Sequence, residues 1–360
     1  MPHLFARLLA LAALLVLPAA VAGIVAPRTT SPSGNVALPL GHNDQTFKIL
    51  QLADMHIKTG TDYGCLNIPR DGSPCGDRNT TDFIGRLLDD ERPDLVVFTG
   101  DNVAFPPDAK KAIEIFTEPV INRSIPWAAV FGNHDAQGNM DNAQMMDIIE
   151  SLPHTVTSFG PRDIDGVGNF AVEVIDSSNE TVFSLFFLDS GAYSTDPDIG
   201  GYDWIRPSQV AWYRNASAEI SYNNPHDPPE LVFFHIPFPE YHNATENVVG
   251  DKQERVNSAQ VNGGFFAALT DVGKAVATFV GHDHVNDFCG RSPENPLLAL
   301  CYGGGVGYGT YGRRSWERRA RIINIEDGGR LVRTWKRLDT GPKGTPMPMV
   351  HEQILWQANW

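Results

Sequence analysis

The stretch FKILQLADMH, residues 47–56, joins an apolar run to two side chains that can bind a metal, Asp54 and His56. Apolar runs of this length, rich in Val, Ile and Phe, are typical of strands buried on both faces. The same pattern recurs as DLVVFT (94–99) before Gly100-Asp101-Asn102, WAAVF (127–131) before Gly132-Asn133-His134-Asp135, LVFF (231–234) before His235, and AVATFV (275–280) before Gly281-His282-Asp283-His284.

Segments with helical spacing lie between the first few of these apolar runs. Apolar residues recur at helical intervals in 81–92 and again in 140–152, and a proline follows each segment. Strands that alternate with helices favour an α/β fold with much parallel pairing. Ligands of such sheets gather at the carboxyl ends of the strands, which is where every polar cluster falls.

Other strands are expected to pair antiparallel. RARIINIE (319–326) and LVRTWKRL (331–338) flank Asp327-Gly328-Gly329, which is a strong hairpin signal, and NFAVEVI (169–175) with TVFSLFFLDS (181–190) is a second pair. We therefore predict an α/β fold of two mixed β-sheets packed as a sandwich with flanking helices. We expect one domain over 46–340, an exposed leader over 23–45 and a C-terminal tail over 341–360.

The start of the chain has the layout of a secretory signal peptide, which we place at residues 1–22. LLALAALLVLPAAV (8–21) is apolar, and Ala20-Val21-Ala22 offers small residues for cleavage; an uncleaved anchor is the alternative. The chain carries 28 Lys and Arg against 43 Asp and Glu, a net charge of −15, so duplex nucleic acid is not an expected partner. We expect a secreted or vacuolar protein with no later membrane span.

Four cysteines in a chain of this kind predict disulfides. Three pairings are possible, and Cys65–Cys75 with Cys289–Cys301 is favoured because each bond closes a short loop. A zinc site is the competing interpretation, although no two cysteines have Cys-x-x-Cys spacing. Sequons for N-glycosylation stand at Asn79, Asn122, Asn179, Asn215 and Asn243.

The polar clusters have the chemistry of metal ligands. Asp54 and His56 are two residues apart, so on an extended chain both side chains point the same way and can share one ion. His282 and His284 have the same spacing, and a glycine at 100, 132 or 281 lets the chain turn sharply off its strand. The set offers oxygen and nitrogen but no thiolate, which suits Mn, Fe or Zn. Each cluster alone is weak evidence, whereas five at strand ends are strong.

The ordered set Asp-x-His, Gly-Asp-Asn, Gly-Asn-His-Asp, His and Gly-His-Asp-His resembles the calcineurin-like metallophosphoesterase superfamily. Stretches such as PWAAVFGNHD, FFLDSGAYS, FFHIPFPE and CYGGGVGYGTYG look like the purple-acid-phosphatase-related branch of fungi and plants. That resemblance extends from about residue 47 to residue 339 and implies the metallo-dependent phosphatase fold.

The resemblance also implies roles for individual residues. One metal ion would be held by Asp54, His56, Asp101 and His284, and the other by Asp101, Asn133, His235 and His282. Between them a metal-bound hydroxide would attack the phosphorus of a phosphate monoester, with His134 as general acid and Asp135 orienting and charging its ring. The substrate would be a phosphorylated small molecule or a phosphoprotein. A phosphodiesterase or nucleotide-cleaving enzyme is one alternative, and a non-catalytic, partner-binding relative is another.

The chain departs from the purple enzymes at one position. They bind iron through a tyrosine three residues after the bridging aspartate, where this chain has Ala104, and they lack the ligand that His56 would supply. We therefore expect a protein that is colourless or only faintly coloured. Two further features have two interpretations each. The segment 303–312, which has six glycines, is either a loop that lines the pocket or a flexible connection. Five arginines that follow it either meet substrate anions or are solvated side chains beside a strand. These arginines are Arg313, Arg314, Arg318, Arg319 and Arg321.

Overall fold

The structure is a computed structural model that describes residues 29–41, 45–60, 64–67, 74–341 and 344–358. The predicted signal peptide lies outside the described residues. In chain order the strands and α-helices are β1 (Val36–Pro39), β2 (Phe47–Leu52), α1 (Asp77–Glu91), β3 (Leu95–Thr99), α2 (Ala109–Ile121), β4 (Trp127–Val130), α3 (Asn142–Ser151), β5 (Phe170–Ile175), β6 (Thr181–Phe187), α4 (Pro207–Tyr222), β7 (Glu230–Phe233), β8 (Glu246–Val249), α5 (Phe265–Val272), β9 (Ala275–Val280), β10 (Cys289–Ser292), β11 (Asn295–Tyr302), β12 (Arg319–Glu326), β13 (Leu331–Leu338) and β14 (Met349–Gln357).

These strands form two mixed sheets. One has the order β1-β5-β6-β7-β9-β11-β10-β8, and the other has the order β14-β13-β12-β2-β3-β4. Strands β2, β3 and β4 are parallel to one another, and so are β6, β7, β9 and β11. The predicted hairpins are confirmed, because β5 pairs antiparallel with β6 and β12 with β13.

The two sheets pack face to face and helices cover their outer faces. Ile49 of β2 and Val97 of β3 point into the core between the sheets, where Leu185 and Phe233 meet them. The next residues along, such as Leu50, belong to the core under α1, α2 and α3, while α4 and α5 cover the eight-stranded sheet. Burial on both faces explains why these strands are continuous apolar runs. The predicted sandwich with flanking helices is confirmed.

The sheets extend beyond the domain boundaries predicted from the sequence. Strand β1 lies in the expected leader and pairs in parallel with β5, with Val36 opposite Val172. Strand β14 lies in the expected tail and pairs with β13, and Leu355 is buried in the core between the sheets. Both segments therefore belong to the fold, because each adds an edge strand with apolar side chains to cover the core.

Both disulfides join the cysteines that the short-loop argument favours. Cys65 is bonded to Cys75, and Cys289 is bonded to Cys301, its partner in register across β10 and β11. Within the described ranges, no helix has the length and apolar character needed to span a membrane.

Candidate metal centre

The five polar clusters meet at one end of the sandwich. Those after β2, β3 and β4 come from the six-stranded sheet, and those after β7 and β9 come from the eight-stranded sheet. The clusters after β2, β3, β7 and β9 supply two groups in which one ligand atom per residue lies within 4.8 Å of the others. The first group is Asp54, His56, Asp101 and His284, and the second is Asp101, His235 and His282.

Asp101 belongs to both groups. Its Oδ2 lies 3.5 Å from Nε2 of His56 and 3.2 Å from Nε2 of His235. In the first group, Nε2 of His56 lies 3.2 Å from Nε2 of His284. A single carboxylate oxygen between two sets of imidazoles has the position of a ligand shared by two ions.

Backbone carbonyls fix which nitrogen of two rings faces the centre. Nδ1 of His235 lies 2.8 Å from the carbonyl oxygen of Thr99, and Nδ1 of His284 lies 3.1 Å from that of Tyr311. A carbonyl can only accept, so each Nδ1 carries the hydrogen. In the neutral ring the lone pair is then on Nε2, which is the usual outer-partner arrangement of metal-binding histidines.

Three buried atoms of the centre have no hydrogen-bond partner. They are Oδ2 of Asp54, Oδ1 of Asn133 and Nε2 of His235. Nε2 of His235 lies 3.2 Å from Oδ2 of Asp101, but the two atoms are not oriented for a hydrogen bond. Leaving such an atom buried and unsatisfied costs about 1–3 kcal/mol. The amide of Asn133 donates from Nδ2 to the hydroxyl of Tyr193 at 3.2 Å, so its oxygen is left free. Cations bind oxygen and nitrogen donors of this kind, and the residues therefore fit a metal centre.

Burial sets the protonation of the centre. Burial lowers the pKa of His56 and of His282 to about 3, although the charge of Asp101 acts to raise both. Burial also lowers the pKa of His284 well below its usual range. These rings are neutral at physiological pH, which is the form that binds metals. Burial opposes charge on His235 as well, yet the Asp101 carboxylate raises its pKa to about 10, and His235 in turn lowers the pKa of Asp101. A cation at Nε2 of His235 would therefore have to displace a proton from that ring.

The backbone is left-handed, and therefore strained, at four of the candidate ligand positions. Asp54, His56, Asp101 and His282 have φ of 57°, 49°, 49° and 77°. Each non-glycine residue in this left-handed region costs about 1–3 kcal/mol, and such residues concentrate at functional sites. The extended-chain argument from the sequence is therefore wrong in its geometry, although Asp54 and His56 do share one group. His282 and His284 belong to different groups, as the family resemblance implies.

Gly100 and Gly132, which precede candidate ligand positions, are required as glycine for different structural reasons. Gly100 has a φ of 82°, so it supplies the predicted turn off its strand. Gly132 is needed for space, because a Cβ there would lie 2.3 Å from Oδ1 of Asp101 and 2.8 Å from Cδ2 of His235.

His134 lies beside the centre, with its ring centroid 5.1 Å from that of His56. Its Nδ1 contacts Oε1 of Gln137 at 2.5 Å. Asp135 is turned toward the backbone instead: Oδ1 accepts from the Val103 amide at 3.0 Å, and Oδ2 accepts from the Gly132 amide at 2.6 Å. The predicted contact between Asp135 and the His134 ring is replaced by Gln137, because both carboxylate oxygens already accept backbone N–H groups.

The glycine-rich segment 303–312 forms a wall of the centre. The ring of Tyr311 stacks on that of His284 with centroids 3.8 Å apart, and its hydroxyl accepts from the His284 amide. Arg318 donates to the carbonyls of Thr310 and Tyr311, which holds the segment from behind. Of the two interpretations left open by the sequence, the structure supports the pocket-lining loop.

The arginines near this loop divide into two sets. Arg313 and Arg314 are exposed. Arg318, Arg319 and Arg321 are buried, and Arg319 pairs with Asp287 at 2.7 Å. The expectation of solvated side chains is wrong for these three, because each donates to carbonyls or to a carboxylate inside the fold.

The chain belongs to the calcineurin-like phosphoesterase family, whose model matches residues 47–286. Its relatives are purple-acid-phosphatase-like proteins of plants and fungi. It is 41% identical to "Probable inactive purple acid phosphatase 29" of Arabidopsis thaliana over 86% of each chain. It is also 37% identical to "Phosphatase DCR2" of Saccharomyces cerevisiae, over 87% of this chain and 57% of that protein.

Solved structures share the fold. A dimetal phosphatase from Danio rerio superposes with a TM-score of 0.56 at 14% identity, over 87% of this chain and 100% of that one. The family and the fold together make the chain a phosphoesterase-type protein, and its His and Asp cluster could hold metal.

Proposed function

We propose that this protein hydrolyses phosphate monoesters at a dinuclear metal centre. The observation that carries the proposal is the pair of ligand groups that share Asp101. Asp54, His56 and His284 would complete one site with Asp101, and Asn133, His235 and His282 would complete the other. The three unpaired buried donor atoms of the centre support this assignment, since two bound cations would satisfy them.

Two bound ions would supply Lewis acidity toward the phosphoryl group and activate the attacking water. His134 would donate a proton from Nε2 to the leaving ester oxygen, since its Nδ1 is engaged by Gln137. Gln137 would hold the ring in place, and the Asp135 carboxylate would brace the loop that carries Asn133 and His134.

A non-catalytic role is the competing function, because the plant relatives are named "probable inactive". Two observations favour catalysis in this chain. The candidate ligands are brought together with unpaired donor atoms, and His134, which is not among those ligands, stands 5.1 Å from His56 by ring centroids. A protein that only binds partners has no need of an oriented proton donor there.

The experiment measures metal content and turnover together. Purified protein is assayed on nitrophenyl phosphate and bis(nitrophenyl) phosphate before chelation, after chelation and after metal is restored. We expect two metal ions per chain, faster turnover of the monoester, and loss and recovery of activity with the metal. Faster turnover of the diester would favour the phosphodiesterase alternative. A metal-loaded protein without turnover on either ester would favour the non-catalytic one.

The compartment is part of the proposal. We propose that the protein passes through the secretory pathway and is secreted or vacuolar, which the two disulfides support.

A further inference from the structure

Aromatic side chains border the candidate centre on several sides. In the described part of the chain the exposed aromatic side chains are Phe105, Tyr193, Tyr222 and Tyr311. All except Tyr222 contact residues of the centre. The ring of Phe105 lies 5.9 Å from that of His134, the hydroxyl of Tyr193 accepts from Asn133, and Tyr311 stacks on His284.

Phe105 is the least expected of these side chains on grounds of stability. It is 65% exposed, and its φ of 50° lies in the left-handed region. A bulky residue with this backbone conformation lowers the stability of the fold by about 1–3 kcal/mol. The ring offsets little of this cost, because most of its surface is exposed and gains nothing from burial. Asparagine or glycine would adopt the same backbone with less strain. The position therefore keeps an exposed ring next to His134 at a cost to stability.

We propose that Phe105, which borders His134, and Tyr193, whose hydroxyl contacts Asn133, form a subsite for the aromatic alcohol of an aryl phosphate. The inference rests on the proposed function, because it uses His134 as the proton donor. A donor must come within about 2.6–3.2 Å of the leaving oxygen, so the group on that oxygen lies next to His134. Phe105 lies 5.9 Å from His134 by ring centroids. An aromatic ring bonded directly to the leaving oxygen would therefore come near the Phe105 ring, and aromatic rings attract at centroid distances of about 4.5–7 Å.

The test compares Phe105→Asn with wild type, and Tyr222→Asn is the matched control because Tyr222 is 90% exposed on α4. Calorimetry gives the affinity of the metal-loaded proteins for phenylphosphonate and for methylphosphonate. Steady-state assays give kcat/KM for phenyl phosphate and for glycerol phosphate. Phenylphosphonate binding and phenyl phosphate kcat/KM should both fall about 2- to 10-fold in Phe105→Asn. The methyl and glycerol compounds and the control variant should stay unchanged, and Tm should not fall.

The remaining outcomes distinguish a failure of the subsite from a failure of the proposed function. Equal losses on aryl and alkyl compounds, or a wild type that does not prefer phenylphosphonate, would overturn the subsite. A larger loss on glycerol phosphate would also overturn it, because damage to proton donation harms alkyl esters most. Preferential phenylphosphonate binding that needs Phe105, without turnover of either ester, would support the subsite and reject the proposed function.

Discussion

At the scale of the residue, the orientation of His134 is the feature with most consequence for chemistry. Oε1 of Gln137 lies 2.5 Å from its Nδ1, so Nδ1–H donates to a neutral amide and Nε2 is the nitrogen available for proton transfer. An amide fixes the ring without adding a negative charge beside it, unlike the carboxylate expected from the sequence. Under the proposed function Gln137 would be a positioning residue, and its removal should resemble a partial loss of His134.

We predict that Gln137→Ala keeps its metal content but loses activity according to the leaving group. The loss should be roughly 10-fold or more on alkyl phosphates, whose alkoxide needs a proton, and small on nitrophenyl phosphate. Rates on the two esters beside elemental analysis check this. Gln357→Ala, an exposed glutamine of β14, is the control. Equal losses on both esters would show that Gln137 only supports the local fold.

The sequence predicts which side chains meet at the candidate centre better than it predicts the geometry around them. Asp101 and His235 can be found because metal-binding side chains follow apolar runs at strand ends. Gln137 carries no such signal, since a glutamine three residues after a histidine has many uses. The left-handed backbone at Asp54 and His282 carries no local signal, since neither residue is one that favours that region as glycine does.

At the scale of the element, the ends of the strands approach so closely that a single methyl group matters. Gly132 follows β4, and a Cβ there would overlap Oδ1 of Asp101 after β3 and crowd His235 after β7. Elements of both sheets therefore meet at this one backbone position, and the spacing of the ligands depends on it.

We predict that Gly132→Ala loses metal and activity together, by roughly 100-fold in kcat/KM, because shifts near 1 Å at a site can cost that much. Gly60→Ala is the matched control, since a Cβ at Gly60 meets nothing within 4 Å. Metal titration followed by assay checks both variants. A Gly132→Ala protein with wild-type metal affinity and rate would show that the close approach has no functional role.

The same scale shows which elements can be recognised in the sequence. The central strands are continuous apolar runs and helix α1 is long and periodic, so the existence of these elements is predicted. Strand β1 is missed because four residues within a Pro-, Ser- and Gly-rich segment show no period. Helix α2 contains Pro119, which alone indicates a helix end, and tertiary packing of Ile113 and Phe116 overrides that signal.

At the scale of the whole molecule, the candidate centre joins the two sheets. Asp54, Asp101 and Asn133 follow strands of the six-stranded sheet, whereas His235 and His282 follow strands of the other. Ions bound by both sets would link the sheets at one end of the sandwich, so metal binding should stabilise the entire fold.

We predict that chelation lowers Tm and that restoring the metal raises it again. A ligand at 100 times its Kd stabilises a protein by about 2.7 kcal/mol, which should raise the Tm of a domain of this size by roughly 4 °C. Thermal unfolding of metal-loaded and metal-free protein measures the shift, with Asp101→Asn as a variant that should show little of it. An unchanged Tm after complete metal removal would mean that the centre does not link the sheets.

Metal binding and proton transfer are assigned to different residues, and measurements on two variants separate these roles. Metal content of Asp101→Asn and His134→Ala is determined beside their rates on an alkyl phosphate and on nitrophenyl phosphate. Asp101→Asn should lose metal and activity on both esters. His134→Ala should keep both metals, lose about 10²–10⁴-fold on the alkyl ester and far less on nitrophenyl phosphate. Loss of metal from His134→Ala, or equal impairment on both esters, would contradict the account.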